Sequence, residues 1–238
     1  MDPRDFDDYA LERGEAFSLA FPALMRKVYV WMAMALCITG LTAYGVASSP
    51  NLLLTLYSHH WLIIGLLFAE LALVFAISGA INRLSLTTAT LLFILYSALT
   101  GVTFSSIFVV YTMSSIGKVF FITAGTFAAM AFVGYTTRRD LSKMGGLLFM
   151  ALIGLIIATV VNLFIKSSGL ELVLSYIGVL VFVGLTAWDT QKIKVMLAQQ
   201  YDMSETSQKL ALLGALELYL DFINLFLYML RIFGSRNE

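Results

Sequence analysis

This sequence predicts an all-α integral membrane protein, a bundle of seven transmembrane helices. Three observations carry that prediction. The 238 residues are 60% hydrophobic and 13% charged, with a mean hydropathy of +0.87, whereas a soluble domain carries about 25% charged residues. Seven apolar runs approach or exceed the roughly 20 residues that a helix needs to cross a bilayer core of about 30 Å. In the resulting arrangement the basic residues gather on one side of the membrane.

The elements follow in chain order. Residues 1–27 are polar and mixed in charge, and read as a cytosolic arm. They contain no short apolar core ending in small residues, so no cleaved signal peptide is expected. Residues 28–238 form one membrane domain, beginning with a span at 28–48 that Ser48-Ser49-Pro50-Asn51 closes. The second span, 61–81, ends at Asn82-Arg83, and the third covers 86–111. The fourth, 119–136, stops at Thr137-Arg138-Arg139-Asp140. Gly145-Gly146 reads as a turn before the fifth span, 146–165, which ends at Lys166-Ser167-Ser168-Gly169. The sixth span is 171–190. The longest polar linker, Thr190 to Gln208, precedes the seventh at 209–231.

With the N-terminus inside, the inner face holds eleven basic residues: Arg4, Arg13, Arg26, Lys27, Arg83, Arg138, Arg139, Lys143, Lys192, Lys194 and Lys209. The outer face holds four: Lys118, Lys166, Arg231 and Arg236. That split supports a cytosolic N-terminus and an external C-terminus. A re-entrant last segment would also fit the charges, but its length, about 34 Å of helix, favours a full crossing. Glycines along the spans, Gly40, Gly45, Gly65, Gly101, Gly125, Gly134, Gly154, Gly178 and Gly184, are read as sites of close helix packing. Trp31, Trp61 and Trp188 lie near span ends, as interfacial anchors do.

Several functions are excluded. Net charge is zero, so nothing draws the chain to nucleic acid. No zinc-type Cys/His spacing, Walker loop, GxGxxG or HExxH pattern occurs, and Cys37 stands alone in an apolar run. His59 and His60 are adjacent in the first outer loop, with no nucleophile fixed beside them. No enzymatic activity and no cofactor are therefore expected.

Four acids lie within or at the edge of spans: Glu70, Asp189, Glu217 and Asp221. A carboxylate at bilayer depth costs roughly 2.5–3.5 kcal/mol on insertion scales, so such groups usually face a bundle interior, a partner charge or an ion path. Glu217 and Asp221 are four apart and share a helical face. Asp189 closes span six beside Lys192 and Lys194, where an interfacial pairing with lysine is one reading. The other is contact with Asp221 across the two antiparallel spans, although the predicted span ends place Asp189 shallower. Two carboxyls sharing a site do not both ionise easily, and they titrate as a coupled pair. The same oxygens, Asp189 and Asp221, also suit Ca²⁺. Paired aspartates serve aspartyl intramembrane proteases too, but Ala187-Trp188-Asp189-Thr190 and Leu220-Asp221-Phe222-Ile223 lack the glycines that pattern carries.

Around these acids the chain resembles the Bax inhibitor-1 family, in its bacterial branch. The residues are Leu218-Tyr219-Leu220-Asp221-Phe222-Ile223-Asn224-Leu225-Phe226, then Leu230-Arg231-Ile232-Phe233-Gly234. Trp188-Asp189-Thr190-Gln191-Lys192-Ile193 and the pair Glu70 and Arg83 add to them. The resemblance runs from about residue 20 onward. It implies a bundle with a central C-terminal helix and a pH-sensitive calcium leak across the bacterial inner membrane. Asp189 and Asp221 would be the sensor and gate, and Arg83 the latch. Glu217 and Glu70 would serve as auxiliary acids on the ion path, with Asn224 as polar support. Ca²⁺ would be the transported ion, and membrane lipid, protons and membrane-protein partners the other contacts. A regulatory protein docking through Asp2, Asp5, Asp7 and Asp8 is the alternative reading, and cation/proton exchange a further one.

Overall fold

The computed structural model describes residues 3–237; for residues 3–18, Tyr57 and His60 it describes the backbone alone. The docking role expected of Asp2, Asp5, Asp7 and Asp8, and the side chains of Arg4, Arg13 and His60, lie outside the described side chains.

Among the described residues the chain forms eight helices: α1 (Pro3–Ala47), α2 (Pro50–Ser58), α3 (His60–Ala80), α4 (Leu86–Val110), α5 (Met113–Thr136), α6 (Ser142–Ile165), α7 (Ser168–Leu197) and α8 (Glu205–Phe233). All except α2 contain a stretch long and apolar enough to span a membrane. Local chemistry starts them. Ser85, Thr112, Ser167 and Ser204 precede α4, α5, α7 and α8, and each hydroxyl accepts from the backbone N–H three residues on. That bond satisfies an amide the first turn leaves open.

Several boundaries depart from expectation, among them the start of α5 at Met113, six residues before 119. α1 is continuous across residue 27, and its membrane-length part begins at Leu19. The loop between the first two spans contains α2, opened by Pro50 at its first turn, where a missing N–H costs nothing. Gly145 and Gly146 lie inside α6 instead of in a turn. Finally, α7 runs about two turns beyond residue 190 and α8 starts about one turn before 209.

α8 is the hub. Its most apolar stretch is 67% buried, against 6% for α3 and α6. It packs against α1, α4, α5 and α7, while α3 lies outside α4 and α6 outside α7. Helix association inside a bilayer draws on van der Waals packing and interhelical hydrogen bonds, since lipid is as apolar as the core. Tyr219 is fully buried, edge-on to Phe93 and Tyr96 with both centroids at 5.8 Å. Its hydroxyl lies 2.7 Å from Thr39 Oγ1. Phe222 meets Phe120 and Phe127 at 5.5 Å each.

α8 also runs the full length of α4. At its start Glu205 Oε1 accepts from Leu86 N at the head of α4, and Lys209 Nζ donates to Leu84 O. Beyond its end, Thr112 N donates to Ser235 O and Asn237 N to Val110 O at the foot of α4. The two ends of α8 therefore meet opposite ends of a spanning helix.

Close packing uses some of the glycines. A Cβ at Gly134 would stand 2.1 Å from Ala187 O, and one at Gly145 would stand 2.1 Å from the Trp188 ring. Gly101, Gly178 and Gly184 are similarly tight, whereas Gly40, Gly45, Gly65, Gly125 and Gly154 face open space.

Candidate functional site

The tight packing of α5 and α6 against Ala187 and Trp188 fixes α7 just where Asp189 leaves it. Asp189 and Asp221 are both buried, at 8% and 4% exposure. Their carboxyl groups face one another within hydrogen-bonding reach across the α7–α8 crossing. The extension of α7 beyond residue 190 puts Asp189 about two turns inside the helix instead of at its end. Ionised carboxylates only accept, so a hydrogen bond between the two requires one proton.

Glu217, one turn earlier on α8, accepts from Lys192 Nζ at 2.8 Å. The same ammonium lies 3.7 Å from Asp189 Oδ1 and 5.4 Å from the centroid of the Trp188 ring. Lys192 thus ties the two helices by pairing with one acid on each. One oxygen of Glu217 and one of Asp221, Oε2 and Oδ2, are buried without a hydrogen-bond partner. The interfacial lysine and the partner aspartate are therefore both neighbours of Asp189.

Around this cluster, the Tyr29 hydroxyl on α1 lies within hydrogen-bonding reach of Thr190, next to Asp189. A cleft of about 610 Å³ beside it is lined by Arg138, Arg139, Trp188, Gln191, Lys192 and Lys194. Gln191 closes its edge, accepting from Leu141 N and donating to Arg139 O. Among the described residues no group of three or more Asp, Glu, His or Cys side chains is arranged to hold a metal ion. Ca²⁺ takes 6–8 oxygens, so the aspartate pair would need water and carbonyls to complete a shell.

The remaining sequence candidates lie elsewhere. Arg83 is exposed in the α3–α4 turn, without an ion-pair partner among the described residues, and the cation touching the acids is Lys192. Glu70 accepts from Thr103 Oγ1, between α3 and α4. Tyr219 and Asp221 are two positions apart and so point to opposite faces of α8, which puts the Glu70 side of the bundle away from the pair. Asn224 donates to Leu220 O of its own helix at 2.8 Å. Sequence reasoning missed the Lys192–Glu217 bridge and the Tyr29–Thr190 approach. The only available signal for either was a polar residue recurring on an apolar helix.

Comparison with known proteins agrees with this architecture. The family described as "Inhibitor of apoptosis-promoting Bax1" matches residues 22–238. The chain is 53% identical over 214 residues to "Inner membrane protein YbhL" of Escherichia coli (strain K12), covering 89% of this chain and 91% of that protein. It is 43% identical over 226 residues to a protein of Rickettsia prowazekii (strain Madrid E), covering 95% of each. With a membrane protein of Streptococcus pyogenes serotype M6 it shares 39% identity over 214 residues, 89% of this chain and 92% of that one. The match over almost the whole membrane domain makes this chain a member of the Bax1-I family.

Proposed function

We propose that this protein is a proton-gated calcium leak of the bacterial inner membrane, not an enzyme, and that Asp189 and Asp221 form its gate. The carrying observation is the buried pair of facing carboxyl groups between α7 and the central α8, close enough to share a proton. With one proton shared, the bond clamps the helices together. Removing that proton leaves two like charges in contact at low dielectric, where repulsion is strong. The helices then part at the crossing, and the freed oxygens become ligands for a passing Ca²⁺ completed by water. The leak therefore rises as pH rises through the titration of the pair.

Purified protein in liposomes loaded with a calcium dye tests the activity itself. Entry faster than in protein-free liposomes supports the leak. No entry at any pH, with folded and inserted protein, overturns it and favours a regulatory role with membrane-protein partners. Accumulation against a calcium gradient, driven by a pH difference, would assign exchange in place of a leak.

A further inference from the structure

α1 and α5 each pack on α8 but not closely on each other. Between them lies an open groove of about 660 Å³, floored by Phe222 and kept wide by the small side chains of Ala124, Ala128 and Ala131. Its lining is apolar and contains one charged residue, Arg26, and no acid. Arg26 is exposed and makes no ion pair or hydrogen bond among the described residues. At the same end, Tyr135 sits under Lys194, whose Nζ is 5.0 Å from the ring centroid and donates to Tyr135 O at 2.7 Å. From Pro22 to Leu36 the groove runs about 20 Å along α1, and one leaflet of hydrocarbon is about 15 Å deep.

We propose that this groove is a binding site for one anionic phospholipid. An acyl chain lies along Ala124 and Ala128 against Phe222, and the phosphate rests at Arg26. The occupant is lipid because the groove opens between two spanning helices on the bilayer-facing wall, where Phe132 is 67% exposed. It is anionic because a guanidinium with no partner among the described residues, at the end of an acid-free lining, matches a phosphate-bearing headgroup. The site touches the gate from both sides. Tyr29 in its wall approaches Thr190, beside Asp189, and Phe222 in its floor follows Asp221 in the chain. Any effect of the lipid on gating rests on the function proposed above; the binding does not.

The test exposes detergent-purified full-length protein to equimolar phosphatidylglycerol and phosphatidylcholine and counts retained lipid by native mass spectrometry. Wild type should hold one lipid, preferring phosphatidylglycerol about five-fold, the worth of one basic residue near an anionic surface. Ala128→Phe, a groove-filling change at an exposed position, should lose that lipid. Leu180→Phe, on the 72% exposed outer wall of α7, should keep it. Arg26→Gln should keep the lipid but bring the preference close to one. Retention unchanged in Ala128→Phe, or a preference unchanged in Arg26→Gln, would overturn the proposal. Chromatographic elution and thermal unfolding of each variant separate lost binding from lost fold, and neither readout depends on calcium flux.

Discussion

Lys192 Nζ donates to Glu217 Oε1 at 2.8 Å while standing 3.7 Å from Asp189 Oδ1, so one lysine on α7 serves acids on both helices of the crossing. Its side chain is 42% exposed and that of Glu217 36%, so solvent screens the pair and its net worth is no more than about 1 kcal/mol. Lys192→Met should therefore leave thermal stability within that margin. It should alter gating more, because the acids lose their nearby positive charge and hold the shared proton more tightly. The pH at which the leak rises should move upward, and Glu217→Gln in the same background should bring it part of the way back. An unchanged pH response in Lys192→Met would separate the lysine from the gate.

Gly134 permits α5 to touch the backbone of α7 beside the site. Gly134→Ala places a methyl 2.1 Å from Ala187 O, a backbone atom that no rotamer change can move. Overpacking of this kind costs about 1–3 kcal/mol. Gly125→Ala, on the same helix but facing open space, should stay within about 0.5 kcal/mol of wild type. Thermal unfolding in detergent distinguishes the two.

Tyr219 anchors the opposite face of α8. The single proton of Thr39 is directed to Ala35 O and Ser97 O, at 3.0 and 2.9 Å, so Tyr219 donates to Thr39 Oγ1. Tyr219→Phe should cost about 1 kcal/mol, the net worth of one hydrogen bond. Tyr219→Ala should cost about 3–5 kcal/mol through the cavity it opens. Equal losses in the two variants would show that the hydroxyl, and not the packing, holds the helix.

The loop before α8 carries its own pH dependence. Hydrogen bonds from Ser204 and Ser207 hold the Asp202 carboxyl below the usual carboxylate range. A carboxyl depressed on folding stabilises above its unfolded value, about 3.9, and loses that contribution as pH falls through its lower folded value. Asp202→Ala should speed amide hydrogen exchange in the first turn of α8 at pH about 6, and the difference should close as pH falls well below the free carboxylate value of about 3.9. A difference that persists at the acid end would assign the effect to something other than this carboxylate.

The sequence made the spans legible because apolar length is read directly from composition. Their ends were less so. Gln191, Lys192 and Lys194, and Glu205 to Gln208, are polar, so they drop out of an apolar run although they continue α7 and α8. α2, at nine residues, is too short to register as a span. Asp189 and Asp221 were legible as a candidate pair because buried acids are costly and few. How far inside α7 Asp189 lies was hidden by the unread helix end. The Lys192–Glu217 bridge joins residues whose helices approach only in the folded bundle, and no local pattern announces such a pairing. The glycines show the same limit: Gly134 and Gly125 look alike in sequence, and only the neighbour opposite each one tells them apart.

The central claim is that the Asp189–Asp221 hydrogen bond is the gate. The most direct test is calcium entry into dye-loaded liposomes between about pH 6 and 8, for wild type, Asp189→Asn and Asp221→Asn. Wild type should leak more as pH rises, and each variant should show a response that is flattened or displaced, because an amide neither shares nor releases the proton. A wild-type pH response retained intact in both variants would contradict the account.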